Sequence, residues 1–312
     1  MLKEDVLRVL ASNRSRAVSG QELAQMFSVS RNAVWKAVKA LESEGIKITA
    51  VTNKGYMLEK NTLCKSDLKL PDDIEVFFFD SIDSTNTEAK RMLAAGLKSR
   101  AFIFSNEQTA GRGRCGRDFY SPKNTGLYYS FVFHPERSFS DAVFITTAAA
   151  VSVVRAIEKI SSLKPEIKWV NDVYLGGKKV CGILSEAVSD FESGEVHSVI
   201  VGIGINFNTS AFPNEIAGVA ASLDDETITR ATLLQALAEE LIKVSEDLKS
   251  PDIMSDYISH SLVLGKDITF IKNGKSRKGK AIGIDESGAL IVQTEQGEER
   301  LSSGEISVRL ET

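Results

Sequence analysis

The apolar residues change their spacing along the chain, and the changes mark its parts. Leu2, Val6, Val9 and Leu10 lie on one stripe of a helix. Ser19-Gly20-Gln21-Glu22 has the form of a capping box, which predicts a second helix over residues 22–27. Ser28-Val29-Ser30 reads as a tight turn, with Ser30 placed to cap a third helix. In that helix Val34, Val38 and Leu41 face inward, and Gly45 stops it as a C′ glycine. Residues 46–51 and 55–58 then read as two strands around Thr52-Asn53-Lys54.

Three short helices, a turn and a two-stranded flap are the pattern of a winged helix-turn-helix. Its third helix enters the major groove, so Arg31, Asn32, Lys36 and Lys39, off the buried stripe, are the candidate DNA contacts. Trp35 either packs on a sugar or supports the helix, and Lys54 on the wing is placed for a phosphate. The plainer alternative is a helical protein-interaction module with a solvated basic face. Turn, cap, wing and charge together favour DNA.

Residues 61–70 read as a linker. Beyond it the pattern is mixed: strands over 74–79, 101–105 and 127–133, and a helix over 85–93 that stops at Gly96. A long buried helix follows over 141–160, then strands over 167–170, 180–188 and 196–205. Gly176-Gly177 is read as the hairpin turn between the first two of these. Leu234, Leu237, Leu241, Val244 and Leu248 form one stripe of a helix over 230–248. From Gly265 onward the strands are short, punctuated by Asn273-Gly274, Ser287-Gly288 and Gln296-Gly297, as in a small SH3-like β-barrel. The fold class is therefore α/β multidomain. It comprises a winged helix-turn-helix (1–62), a mixed α+β domain (63–263) and a small β domain (264–312).

Charge sharpens this division. Residues 1–60 carry 10 Lys and Arg against 6 Asp and Glu, while the rest of the 312-residue chain is acidic and the net charge is -4. A basic head on an acidic body fits a DNA-binding module joined to something else. Cys64, Cys115 and Cys181 have no paired spacing, and His134, His197 and His260 are equally scattered. Neither a disulfide framework nor a metal site is expected, and a reducing cytoplasm is. The charged amphipathic start is unlike a signal peptide, and the longest apolar run, 142–154, is too short to span a bilayer.

Gly111-Arg-Gly-Arg-Cys-Gly116 matches a dinucleotide fingerprint by letters, but no helix follows to supply a dipole. Gly202-Ile-Gly204 and Gly274-Lys-Ser276 lack the context of nucleotide motifs too. The run from Gly111 to Arg117 is more telling as a loop: three glycines for close backbone approach and three arginines for anions. Its plain alternative is a flexible basic surface loop. Lys179, on the return strand after Lys168-Trp-Val-Asn-Asp172, is a candidate fixed cation, though a lone lysine is more often a surface residue. Asp83-Ser84-Thr85-Asn86 precedes a helix, and Ser84 or Asp83 is placed to cap it.

Taken in order, Asp83-Ser-Thr-Asn86, Gln108 with Gly111-Arg-Gly-Arg-x-Gly-Arg117, Lys168-Trp-x-Asn-Asp172, Lys179 with Gly182-Ile-Leu184 and Gly202-Ile-Gly-Ile-Asn206 resemble the biotin–protein ligase family. The likeness is to its longer bacterial class, which doubles as the biotin operon repressor, and it covers essentially the whole chain. It implies an ATP-dependent ligase that forms biotinyl-5'-AMP and passes biotin to a lysine of a biotin carboxyl carrier protein. The adenylate would also be the corepressor, promoting a homodimer on operator DNA. Ser84, Thr85, Asn86 and Gln108 would bind biotin. Gly111, Arg112, Gly113 and Arg114 would close over it, and Lys179 and Gly182 would lie near its carboxylate. Asn206 with residues 208–223 would order around adenine. Arg114 and Lys179 would serve catalysis, while Asp172 either orients the incoming lysine or has a structural role. Substrates would be biotin and ATP with Mg²⁺, with no permanently bound cofactor. Two departures from the family are Val170, where many relatives have proline and an extended backbone is expected, and Cys115 inside the arginine loop. A lipoate or octanoate ligase of the same general fold, and a DNA-binding biotin sensor without ligation, are the competing readings.

Overall fold

The structure is a computed structural model that describes residues 1–135, 142–189, 196–248, 250–272, 275–302 and 308–310. The head forms where its caps and stripes place it: α1 (Leu2–Ser12), α2 (Gly20–Met26) and α3 (Arg31–Ser43). The Ser19 side chain accepts the Glu22 N–H at 3.0 Å, and Ser30 accepts the Ala33 N–H at 3.1 Å. Each bond satisfies one of the four N–H groups a helix start leaves open. Gly45 leaves α3 at φ +87°, a conformation a side chain resists. The wing is β1 (Ile48–Val51) paired antiparallel with β2 (Gly55–Leu58), so its first strand begins two residues later than expected. Val6, Leu10, Leu23, Val34, Val38, Leu41 and Leu58 make a small core of its own.

The supposed linker is pinned. It contains a 3₁₀ turn (Lys65–Asp67), and Leu63, Cys64 and Leu68 are buried. Arg14 of the head grips both carboxylate oxygens of Asp67 at 2.6 and 2.7 Å. From the body, the wholly buried Arg230 donates to the carbonyls of Asn61 (3.0 Å) and Gly126 (2.8 Å) and to Asn106 Oδ1 (3.2 Å). Burial lowers its pKa to about 10.

The body is built on a seven-stranded sheet. Its elements in chain order are β3 (Ile74–Phe79), α4 (Thr85–Ala94), β4 (Arg100–Ser105), β5 (Gly126–Phe133), α5 (Ala142–Ile160), β6 (Glu166–Lys168), β7 (Asp172–Leu175), β8 (Lys178–Ser189) and β9 (Val196–Asn206). They continue with α6 (Asn214–Ala217), α7 (Arg230–Glu246) and α8 (Pro251–Ser259). The strand order is β3-β4-β5-β9-β8-β7-β6, with β3 and β4 parallel and every other pair antiparallel. Alternation along the strands sends Phe102, Phe104, Tyr129 and Phe131 to the face covered by α5, α7 and α8. Ala101, Ile103, Val132 and Ile200 face α4, with Ala89 at their centre. Among the described residues no helix is long and apolar enough to cross a membrane.

Several expectations change. The polar segment after residue 170 is a strand, β7, so Gly176-Gly177 turns between β7 and β8 and Asn171 lies in the tighter turn between β6 and β7. The Trp169–Val170 peptide is cis, and the extended run ends at Lys168 instead of passing through Val170. Helices α6 and α8 had no clear stripe in the sequence, and α7 ends two residues early, at Glu246. Asp141 and the Asn273-Gly274 turn lie outside the described residues.

The C-terminal unit is a five-stranded antiparallel sheet of β10 (Asp267–Lys272), β11 (Lys275–Ile284), β12 (Leu290–Thr294), β13 (Gly297–Leu301) and β14 (Val308–Leu310), in the order β13-β12-β11-β10-β14. Trp169 Nε1 donates to the Gly288 carbonyl at 2.9 Å, tying it to the body.

Candidate functional site

The α4 face of the sheet is bare where β5, β8 and β9 carry small residues, and a cleft of about 440 Å³ opens there. Ser130, Gly202 and Leu184 stand in register across β5, β9 and β8. Two residues further along, Gly204 pairs with Gly182. The glycines dismissed as a nucleotide motif have separate steric reasons. A Cβ on Gly202 would stand 2.1 Å from Asn86 Oδ1, and one on Gly204 would stand 2.4 Å from the Phe119 ring. Asn86 and Phe119 occupy the spaces those glycines leave.

At the Gly202 end the groups are neutral and polar. Ser84 caps α4 by accepting the Thr87 N–H at 3.5 Å, while Asp83 pairs with Arg91 and leaves the capping to Ser84. The Thr85 N–H donates to Gln108 Oε1 at 2.9 Å, and the Thr85 hydroxyl lies 3.1 Å from the same oxygen. Gln108 Nε2 donates to Ser121 Oγ at 3.0 Å, which fixes the amide's orientation. At the other end the groups are cationic. Lys179 Nζ meets Asp172 Oδ1 at 2.6 Å, and Arg114 donates to Asn171 Oδ1 at 3.0 Å. Between the ends lies the Phe119 ring on the Gly182–Gly204 shelf. A two-residue step along a strand is about 7 Å, so the cleft is a slot with a neutral end, an apolar middle and a cationic end.

The arginine loop closes one side. Gly111 is held against the Phe119 backbone by the bond from Phe119 N–H to the Gly111 carbonyl at 2.9 Å, and Arg112 bridges Asp118. A 3₁₀ turn (Arg114–Gly116) follows, and its Cys115 is exposed at φ +55°. Cys64 and Cys181 are buried, and all three cysteines are free. Burial pushes Tyr129 and Cys181 well above their ordinary pKa values, so neither is a ready nucleophile.

Of the residues singled out in the sequence, Ser84, Thr85, Asn86, Gln108, Arg112, Gly113, Arg114, Lys179 and Gly182 line the slot. Gly111 and Asp172 stand behind it. Asn206 lies beyond the glycine shelf at the end of β9, where its Nδ2 donates to the Ala221 carbonyl at 3.0 Å and ties down the segment that carries α6. Sequence reasoning missed Phe119, Asn171, Gly202 and Gly204 as lining residues. The alternate glycines of Gly202-Ile-Gly204 were the available signal, since a glycine inside a buried strand marks a close approach.

On the head, Arg31, Asn32, Trp35, Lys36, Lys39 and Lys54 are all exposed. Trp35 is 49% exposed, too much for a residue that buttresses the helix from within. Lys39 is paired with Glu42 at 2.5 Å.

Three family models match in the order of the three structural units: an HTH domain over residues 3–57, the Biotin/lipoate A/B protein ligase family over 78–206, and the Biotin protein ligase C terminal domain over 263–309. The bifunctional ligase/repressor BirA of Bacillus spizizenii is 32% identical, over 98% of both chains. The chain belongs to the biotin–protein ligase family. BirA of Escherichia coli is 28% identical, with 93% of this chain and 92% of that one covered. Among solved structures, the biotin protein ligase from Aquifex aeolicus in complex with biotin and ATP is 31% identical and matches 76% of this chain and 99% of that one, with a TM-score of 0.64. Membership of the biotin–protein ligases agrees with the order of motifs along the slot.

Proposed function

We propose that the protein is an ATP-dependent biotin–protein ligase and a biotinyl-AMP-dependent repressor. The observation that carries this is the polarity of the slot. A ligand with a neutral hydrogen-bonding head, an aliphatic middle and a terminal carboxylate matches its three parts, and biotin is such a molecule. The dithiolane of lipoate and the chain of octanoate have no head for Thr85 and Gln108 to recognise.

The chemistry follows from charge. The biotin carboxylate attacks the α-phosphorus of ATP, and pyrophosphate leaves. Two anions must approach, so fixed cations are needed where negative charge gathers. Lys179 and Arg114, with Arg112 on the loop above, stand at that end of the slot. Asp172 holds Lys179 in place, a positioning role consistent with their 2.6 Å contact. Mg²⁺ enters with the ATP phosphates as part of the substrate. A lysine of the biotin carboxyl carrier protein then attacks the mixed anhydride and AMP leaves. Closure of the arginine loop keeps water away meanwhile.

Asn206 and its bond to Ala221 place the segment of residues 208–223 beside the adenine. Ordering of that segment and the loop by the adenylate favours a homodimer that sets two heads on operator DNA in the cytoplasm. ATP–pyrophosphate exchange by the purified protein, with biotin, lipoate or octanoate supplied singly, tests the assignment. Exchange with biotin alone supports it. Exchange with lipoate or octanoate instead moves the substrate to the sister class, and no exchange leaves a DNA-binding biotin sensor.

A further inference from the structure

Behind the neutral end of the slot, buried polar groups form a chain with a definite sense. Glu186 on β8 is reached by Lys90 Nζ at 2.7 Å and by Asn86 Nδ2 at 2.9 Å. Asn86 Nδ2 spends its other proton on the Leu184 carbonyl at 3.1 Å. Its Oδ1 lies 2.6 Å from Ser130 Oγ, and Ser130 Oγ lies 2.8 Å from Thr85 Oγ1. Asn86 and Thr85 are 3% exposed and Ser130 not at all, so water does not compete.

A carboxylate and a carbonyl only accept, so they fix the Asn86 amide with its NH₂ toward β8 and its oxygen toward Ser130. Turned over, the amide oxygen would face two acceptors. The Ser130 hydroxyl has one proton and must give it to Asn86 Oδ1. The 2.8 Å contact with Thr85 then needs the Thr85 proton, because two oxygens at that distance without one would repel. Thr85 therefore donates inward to Ser130, and its lone pairs face the slot. Gln108 Oε1, beside it, is an acceptor as well. Burial opposes ionisation of Glu186, yet the bonds from Lys90 and Asn86 outweigh it and hold the carboxyl below its ordinary pKa.

We propose that Glu186, secured by Lys90, is a positioning residue that acts through Asn86 and Ser130 to set the Thr85 hydroxyl as an acceptor for a ring N–H of the ligand. This rests on the biotin reading above. It assigns Asn86 to the relay and not to direct contact, and it gives a functional reason for a hydroxyl buried in the aromatic strand β5. In Glu186→Gln the new side chain can donate as well as accept. The Asn86 amide is then free to turn over, every proton in the chain reverses, and Thr85 presents its own proton to the ligand's N–H.

The test is ATP–pyrophosphate exchange by the full chain, its Glu186→Gln variant and its Ser130→Ala variant. The acids are biotin and two analogues, each with oxygen in place of one ring N–H. Wild-type exchange with biotin checks the underlying reading, and its absence would remove that reading and the proposal together. Given exchange, both variants should raise KM for biotin about 10-fold and leave KM for ATP within about twofold. Both should also narrow the preference for biotin over the analogue whose oxygen replaces the N–H facing Thr85. Ser130→Ala removes a single buried oxygen, so it decides the matter should Glu186→Gln fold poorly. An unchanged preference, or KM for biotin and for ATP rising together as general loosening would produce, overturns the proposal.

Discussion

The head and the slot both meet a ligand through polar side chains, and they hold those side chains in opposite ways. On α3 and the wing the candidate contacts stand exposed in solvent, with Lys39 bonded only to its helical neighbour Glu42. In the slot almost every polar atom is already bonded to another: Thr85 to Gln108, Gln108 to Ser121, Lys179 to Asp172, Arg114 to Asn171. A phosphate backbone is a repeating target that tolerates side chains arriving in several rotamers. A small molecule bound for chemistry requires its partners fixed beforehand, because ordering them afterwards weakens binding and slows the reaction. The two regions spend rigidity where each ligand needs it.

The contrast is sharpest at Lys179. Lys179→Ala should lower ATP–pyrophosphate exchange by about 10²- to 10³-fold, since it removes a fixed cation from the place where charge develops. An effect below about tenfold would mean that the cationic end is not preorganised. Next comes the junction between the regions. Arg230→Met leaves the Asn61 and Gly126 carbonyls and Asn106 without their donor, and should cost about 2–4 kcal/mol of stability, read by calorimetry. A neutral outcome would show that the buried guanidinium adds nothing over an apolar side chain.

A smaller effect is expected on the head. Lys36→Ala should weaken operator binding about 3- to 10-fold and reduce the salt dependence by about one ion, with exchange activity unchanged. Loss of exchange in that variant would break the separation between the regions. The smallest concerns acid. Because the Glu186 pKa lies below its ordinary value, its stabilising contribution is present above the ordinary glutamate pKa and is lost as pH falls through the lowered one. The Tm gap between the wild type and Glu186→Gln should therefore close between about pH 6 and pH 3. A gap that persists at the acid end would show that the carboxylate's charge is not the source.

The head was legible in the sequence because its signals are local. Ser19, Ser30 and Gly45 act on backbone within a few residues, and the stripe of Val34, Val38 and Leu41 needs only helical spacing. The slot was legible as an ordered set of motifs, but its mechanics were not. Gly202 and Gly204 are explained by Asn86 and Phe119, which lie far away in the chain and arrive only through the sheet. Ser130 sits in an aromatic strand, where a lone hydroxyl reads as tolerated rather than used. Strand β7 was hidden because Asn171-Asp172 has the composition of a turn, and one did form there, a residue earlier than the strand. Helix α8 was obscured by its nine-residue length and by Pro251, which serves as a helix start.

The grip of Arg14 on Asp67 and of Arg230 on Asn61 has a mechanical consequence. A domain on ten slack residues would swivel, and its recognition helix would sample many bearings before finding a groove. Clamped from both sides, the connector has little torsional play, so the helix turns only when the body turns. Successive faces of the double helix recur about every 34 Å. With a stiff neck, matching that pitch is settled by where the bodies come to rest, and the heads contribute no slack to absorb a misfit.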